Sequence, residues 1–357
     1  MRVERRCVDH PVFSICIPQY NRTRFLIEAC KSFQSQTFRS FEVCISDDCS
    51  NDGLEETLLE FLKSSGMSFI YTRQERNKRY DGNLRAAVAL AGGTYCFLMG
   101  NDDCLASPSV LQRLHDEVAR HKLPDVVITN YEDFSTGRQF RRVRQTALVG
   151  SGPETACRSF RNFSFVSGVL LRSDKAQMCA TDQWDGSEMY QTYVGSRMIA
   201  QGGTLLEIDQ ITVRQGIAIP GERVGSYQTK PRLSPCPIEE RKIPLVDFGR
   251  LVADAIRPYH EGTARRRREE KIFFQILMFT YPYWILEYRR VQSWRYSVGI
   301  CLGLRPRNML KNADLSAAGR LRLGCLYGVV TLCGLIIPLK IFQALEKVLY
   351  RVAKAFR

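Results

Sequence analysis

Through its first 130 residues the chain alternates short apolar runs with longer segments whose apolar side chains recur every three or four positions. Residues 12–18 (VFSICIP), 41–46 (FEVCIS), 67–72, 94–99 (TYCFLM) and 125–130 read as strands. Between them, residues 22–35 place Phe25, Leu26, Ala29, Cys30 and Phe33 at helical spacing, and 53–62 does so with Leu54, Leu58, Leu59, Phe61 and Leu62. Segments 83–91 and 109–121 continue the alternation, the latter opened by Ser107 as N-cap and Pro108 in the first turn. Strands separated by helices of about ten residues predict βαβ units: an α/β fold with a mainly parallel sheet flanked by helices.

Beyond residue 130 the pattern loosens. A helix is expected over 188–201, ended by Gly202-Gly203. Residues 227–244 hold Pro231, Pro235, Pro237 and Pro244 among few apolar residues and read as a linker or an extended crossing segment. Residues 272–286 (IFFQILMFTYPYWIL) are apolar and aromatic. Residues 323–339 run seventeen positions without a charge between Arg322 and Lys340, just short of the ~20 that cross a bilayer core. Over 340–357 one helical stripe holds Ile341, Leu345, Val348, Leu349, Val352 and Phe356, with Lys340, Lys347, Arg351 and Lys354 on the other side. Such a helix suits the interface of an anionic leaflet, and so does the whole basic, apolar C-terminal region; the alternative is a helical subdomain packed on the sheet. The expected division is a domain over 1–222, a Pro-rich linker and basic segment over 223–270, and a helical membrane-associating region over 271–357.

Composition adds exclusions. With 45% hydrophobic and 25% charged residues in 357, the chain has the apolar mass for a core, and wholesale disorder is excluded. The net charge of +14 is unevenly held: residues 1–240 balance 29 Lys+Arg with 29 Asp+Glu, whereas 241–357 have 22 against 8. A nucleic-acid groove would interleave basic residues with exposed aromatics; here the charge alternates with aliphatic stripes, so no nucleic-acid partner is expected. Thirteen scattered cysteines without a C-x-x-C pair, and four histidines without zinc-ligand spacing, point to a reducing compartment rather than a disulfide scaffold or zinc site. MRVERRCVDHPVF has no apolar h-region, so the Asn162-Phe163-Ser164 sequon reads as accidental.

The candidate chemistry sits after three strands: Pro18-Gln19-Tyr20-Asn21-Arg22, Asp47-Asp48, and Asn101-Asp102-Asp103. In open parallel sheets ligands gather at the carboxyl ends of strands. Adjacent carboxylates repel and need a compensating partner, for which hard oxygen ligands favour Mg²⁺ or Mn²⁺ bridging to a diphosphate. Two acidic pairs beside a Tyr-Asn-Arg loop single out that chemistry better than one pair does.

SICIPQYNR (14–22), SQTFRSFEVCISDDCSNDG (35–53) and GGTYCFLMGNDDCL (92–105) resemble, in order and spacing, the family 2 glycosyltransferases of the GT-A fold. With YDGNLRAAVALAGG (80–93) before it, the last motif is similar to bacterial enzymes of surface-polysaccharide synthesis. The resemblance implies an inverting glycosyltransferase that moves a sugar from a nucleotide-sugar donor to a hydroxyl of a lipid-linked glycan, peripheral or monotopic on the cytoplasmic face of the bacterial inner membrane. It places Pro18, Tyr20 and Arg22 in the nucleotide site and Asp48 on the base, with Asp47 either beside it or a turn cap. It puts Asp102 on ribose and metal, Asp103 on the same Mn²⁺ or Mg²⁺, and Gly100 where the usual first acid stands. Asp81 and Asn83 match a polar stretch of the donor site, or form a helix N-cap. The usual base position, counted back from Arg197, falls near Gln191, so the nearby acids Glu188 and then Asp185 are the candidate bases, each alternatively a helix-terminal charge. Trp184, Tyr190 and Tyr193 are read as stacking on a sugar or as core. A nucleotidyltransferase is the other α/β reading, but PQYNRTRF lacks the Gly-rich loop expected of one.

Overall fold

The computed structural model describes residues 1–222, 246–259, 262–291, 293–341 and 344, and the chain divides into two compact units, Met1–Ser226 and Tyr227–Arg357. In the first, one sheet holds β1 (Arg2–Arg5), β2 (Phe13–Gln19), β3 (Phe41–Asp47), β4 (Ser68–Arg73), β5 (Tyr95–Leu98), β6 (Cys104–Leu105), β7 (Val126–Asp133), β8 (Gln139–Phe140), β9 (Ala147–Gly150), β10 (Val169–Arg172) and β11 (Leu205–Gln215). The order is β1-β4-β3-β2-β5-β10-β7-β11-β6, with β8 on β7 and β9 on β11. Its helices are α1 (Thr23–Gln34), α2 (Glu55–Ser64), α3 (Arg79–Ala89), α4 (Val110–Arg120), α5 (Gly152–Ser159), α6 (Ser173–Met178) and α7 (Tyr190–Ala200).

The expected alternation is present, and β4, β3, β2 and β5 are mutually parallel. Elsewhere the sheet is mixed rather than mainly parallel: β7 and β11 run parallel, but β1, β6, β8, β9 and β10 pair antiparallel. β10, which separates β5 from β7, is a four-residue run (VLLR), too short to display a period. Phe13, Ile15, Cys16, Ile17, Val43, Cys44 and Ile45 are fully buried. A parallel strand covered by helices on both faces needs a continuous apolar run, which is what β2 and β3 have. α1 buries Phe25, Leu26, Ala29, Cys30 and Phe33 as its spacing predicts. α4 begins at Val110 with Ser109 as N-cap, two residues later than expected, and no side chain caps it. Gly202, at φ 97°, closes α7 by donating to Ile199 O. Asn162 is buried and donates to Glu207. Because β4, β3, β2 and β5 share one direction, the residues that follow β2, β3 and β5 emerge at one edge of the sheet.

The second unit is helical: α8 (Phe248–Ile256), α9 (Gly262–Gln275), a π-helical turn Ile276–Thr280, α10 (Tyr281–Val291), α11 (Trp294–Gly303), α12 (Pro306–Met309) and α13 (Ala317–Ile336). The apolar run 272–286 lies in α9, the π turn and α10. Of the four consecutive arginines 265–268, Arg265 pairs with buried Glu269 and with Asp314, and Arg266 with Asp314. Helix α9 passes through 270/271, the expected boundary of the linker. Ser293 and Ser316 cap α11 and α13 with their side chains, and α13 stops ahead of Pro338, which disfavours helical backbone in the residue before it. Residues 227–244, and 342–343 and 345–357 of the amphipathic tail, lie outside the described residues.

Candidate active site

The loop after β2 is built around Gln19, a buried residue at the strand end. Its carbonyl accepts from Asp48 N (2.8 Å) and Asn83 Nδ2 (2.9 Å), and its Oε1 accepts from Asn101 Nδ2 (2.8 Å). One side chain and its carbonyl thus tie the ends of three segments together. Asn21 and Arg22 follow with left-handed backbone, φ 53° and 59°, which costs non-glycine residues ~1–2 kcal/mol each. Hydrogen bonds offset that cost: Asn21 N to Ser50 Oγ (2.8 Å), Asn51 N to Asn21 Oδ1 (2.7 Å) and Thr23 N to Asp52 Oδ2 (3.0 Å). The turn lays the Arg22 guanidinium over Phe25 (4.2 Å) and places its Nη1 2.9 Å from Asp102 Oδ2. The second nitrogen, Nη2, is buried without an acceptor among the described residues.

The two acidic pairs divide their labour. Asp47 is structural: Oδ1 accepts from Ser50 N (2.7 Å) and Oδ2 from Tyr71 OH (2.9 Å). Asp48 is equally buried, accepts from Lys78 N (2.6 Å), and has its pKa raised by burial. In the second pair, Asp103 spends both oxygens, Oδ2 on Ser167 Oγ (2.5 Å) and Oδ1 on Gly216 N (2.9 Å). Burial, and then the charge of Asp102, push Asp103 up to about 7. The side chain of Asp102 stays 21% exposed, and its Oδ1 has no hydrogen bond among the described residues. The structure therefore separates two residues that the sequence treats alike: Asp102 presents an oxygen, and Asp103 braces the turn.

Gly100 explains its own departure from the family pattern. A Cβ there would lie 2.9 Å from Asp103 Oδ2 and 3.3 Å from Asp102 Oδ1, and its amide donates to the same Ser167 hydroxyl that holds Asp103 (2.8 Å). Gly100→Asp is expected to lower stability by about 1–3 kcal/mol through overpacking and carboxylate repulsion. Differential scanning calorimetry should show the drop; a melting temperature equal to that of the parent would remove this reading.

Asp81 and Asn83 do not act as the N-cap of their own helix, α3. Asp81 is buried and accepts from Gly186 N (2.8 Å), Glu188 N (2.8 Å) and Tyr190 N (3.0 Å), so it caps α7 from across the fold. Its pKa is raised by burial against the lowering by those amides. Asn83 donates to Gln19 O, and its Oδ1 is buried without a donor. Asp185 is held by Arg85 through two contacts (2.5 and 2.8 Å). Gln191, at the usual base position, is buried between Tyr80 OH (3.1 Å) and Phe163 O (3.1 Å). Glu188 is half-buried, with φ 59°, just ahead of α7. Tyr190 and Tyr193 are buried and belong to the packing of α7, and Trp184 is half-buried. Tyr20 is exposed and Pro18 half-buried at the end of β2.

Three residues carry a role that the sequence did not assign: Gln19, Ser50 and Ser167. The first two lie inside quoted motifs, but uncharged side chains there have no pattern that marks them as joints. Ser167 is sixty-four positions from the carboxylate it bonds, and only the antiparallel pairing of β10 with β5 brings it there.

Residues 14–174 match the glycosyl transferase family 2. The abequosyltransferase RfbV of Salmonella typhimurium is 39% identical over 199 residues, which cover 52% of this chain and 57% of that one. The GalNAc(5)-diNAcBac-PP-undecaprenol beta-1,3-glucosyltransferase of Campylobacter jejuni is 29% identical over 97 residues, 27% of this chain and 31% of that one. The chain thus spans less than two thirds of the length of these relatives. Among solved structures, S. aureus TarS 1-349 in complex with UDP superposes with a TM-score of 0.59 at 16% identity, covering 90% of both chains. The mannosyltransferase PcManGT of Pyrobaculum calidifontis, in complex with GDP-Man and Mn2+, gives a TM-score of 0.50 at 12% identity over 98% of this chain and 87% of that one. With the three motifs converging on one sheet edge, residues 14–174 belong to glycosyl transferase family 2, carried on a GT-A-like α/β fold with a mixed sheet.

Proposed function

We propose that this chain is an inverting glycosyltransferase that moves a sugar from a nucleotide-sugar donor to a hydroxyl of a lipid-linked glycan in bacterial surface-polysaccharide synthesis. The observation that carries the proposal is the junction at Gln19, which holds Asp48, Asn83 and the Asn101-Asp102 turn at one edge. The Campylobacter relative, whose name gives an undecaprenol-diphosphate-linked glycan, supports the acceptor class, and the Salmonella relative's name supports sugar transfer. The nucleotidyltransferase alternative loses ground because the loop after β2 is shaped by side-chain bonds from Asn21 and Ser50, not by glycines.

In this reading Asp48 accepts from the imino N–H of the base, with Pro18 and Tyr20 alongside it. The buried Arg22 Nη2 has an unmet need for an acceptor, and a diphosphate oxygen meets it. Asp102 Oδ1, without a donor, sits on the other side of the same ion pair. That set fits Mn²⁺ or Mg²⁺ in the mode where one carboxylate joins phosphate oxygens and waters. When bound, the cation would offset charge on the departing diphosphate. Asp103 takes no ligand place; it fixes Asp102 through Ser167 and Gly216. The acceptor oxygen attacks the anomeric carbon as the bond to diphosphate breaks, and Glu188 takes the hydroxyl proton. Asp185, neutralised by Arg85, serves as a clamp. The lipid-linked acceptor places the enzyme at the cytoplasmic face of the inner membrane, held by its basic helical region.

The test is thermal denaturation with a panel of UDP-, GDP-, CDP- and dTDP-sugars, with and without Mn²⁺. A donor at a hundredfold its Kd stabilises by ~2.7 kcal/mol, which is roughly 5–10 °C for a domain of this size. One nucleotide class is expected to give that shift, and only with the cation. If no nucleotide-sugar stabilises the protein under either condition, the proposal fails.

A further inference from the structure

Along α13 one side is engaged and the other, among the described residues, is bare. Near its start Arg322, with its side chain 67% exposed, pairs with Glu270 (2.6 Å); on the engaged side Tyr327 OH donates to Cys301 O (2.6 Å) and Thr331 is bonded to Tyr281 (2.7 Å). At its end the carbonyls of Gly334 and Ile337 accept from Arg289 (2.6 and 2.7 Å). The bare side holds Leu321 (70% exposed), Cys325, Val329 (61%), Leu332 (61%) and Ile336 (67%). Steps of three and four make these one stripe, about 22 Å long at the helical rise.

Two arrangements suit an apolar helix of this kind: crossing a bilayer or lying on one. The neighbours of α13 decide between them. Glu270, Tyr281 and Arg289 lie beside Arg322, Thr331 and Ile337 in that order, so α9–α10 and α13 run in the same direction. The chain between them must therefore return alongside. It does: Trp294 Nε1 donates to Leu335 O, Cys301 O accepts from Tyr327, and Ala313 O accepts from Arg320. That return has only nine uncharged residues, 296–304, between Arg295 and Arg305, about 14 Å of helix against a hydrocarbon core of ~30 Å. If α13 crossed, the return would cross with it and bury those arginines.

Resting on the membrane location proposed above, we infer that α13 lies in the plane of an anionic lipid leaflet, with Leu321, Cys325, Val329, Leu332 and Ile336 inserted and no crossing of the bilayer. The occupant is lipid rather than a second copy because the net +14 lies wholly in residues 241–357; two such regions repel, whereas an anionic leaflet attracts them. Arg320 and Arg322 at one end and Lys340 at the other, with exposed Trp294 beside Leu335, give the stripe the basic and aromatic margins of an interfacial helix.

The exposed thiols supply the test. The full chain is treated with a bulky maleimide alone, with phosphatidylcholine vesicles, and with vesicles that also contain phosphatidylglycerol, and Cys325 and Cys7 are read by mass spectrometry. Anionic vesicles are expected to slow Cys325 roughly tenfold or more, as burial at an interface does, and to leave Cys7 as the internal reference. Alkaline carbonate should then release the protein. The Val329→Asp/Leu332→Asp variant should lose vesicle binding while keeping its thermal transition. Equal Cys325 labelling with and without anionic lipid overturns the inference. So does protection that rises with protein concentration in the absence of lipid, the signature of a second copy, or retention through carbonate, the signature of a span. None of these readouts uses a sugar donor, so the transferase reading stands or falls separately.

Discussion

Asp102→Asn is expected to cut sugar transfer by about a thousandfold, equivalent to ~4 kcal/mol at the transition state. The reason is positional. Asp102 is the member of its pair that keeps an oxygen without a hydrogen-bond donor, at an edge that also presents an unsatisfied guanidinium nitrogen from Arg22. Asparagine preserves the shape but removes the charge that a divalent cation and its diphosphate require. Stability should change little, because the Arg22–Asp102 pair is partly exposed, and such pairs contribute at most ~1 kcal/mol. Asp103→Ala should behave in the opposite sense. It strands the Ser167 hydroxyl and the Gly216 amide, so its first effect is a stability loss of about 2–4 kcal/mol. Turnover at saturating donor and Mn²⁺, measured beside the melting temperature of each variant, separates the two. Transfer by Asp102→Asn within fivefold of the parent would show that this carboxylate does not hold the cation.

Glu188→Gln carries the second large effect. A general base supplies about 10²–10⁴-fold, and an amide cannot accept the acceptor's proton, so turnover should fall by that amount. The donor-induced thermal shift should persist, since the proposed role of Glu188 is toward the acceptor hydroxyl and not the nucleotide. Asp185→Asn serves as the comparison: it breaks a two-point contact with Arg85 and loosens the segment ahead of α7. Its losses should therefore appear in stability as well as in rate. A fully active Glu188→Gln together with an inactive Asp185→Asn would transfer the base role to Asp185. Normal activity in both variants would leave proton removal to some other group.

How far these assignments were readable beforehand depended on the range of the interaction behind each. The acids of both pairs, and Arg22, announced themselves because strand ends are local features, where an apolar run stops and a charged pair begins. Their division of labour was not readable. Asp47 and Asp48, like Asp102 and Asp103, are neighbours of one type, and what distinguishes them is a partner far away in the chain: Tyr71 for Asp47, Lys78 for Asp48, Ser167 and Gly216 for Asp103. Asp81 is the sharpest instance. Its position suggested either the donor site or a cap for its own helix, but all three of its hydrogen bonds go to amides more than one hundred positions away. The bare stripe of α13 was likewise hidden, because the apolar residues along it look alike until Cys301, Tyr281 and Arg289 cover one side.

The sequence by itself determined the parallel strands β2 to β5 and their helices, the edge on which the acids emerge, and the confinement of positive charge to the last third. Each follows from side-chain periodicity or from counting. Only the tertiary structure decided which acid presents a free oxygen, which ones brace turns, and that Gln19 joins the strand ends. A carboxylate's role is set by the donors that reach it, and those donors arrive through pairings, such as β10 against β5, that no local pattern specifies.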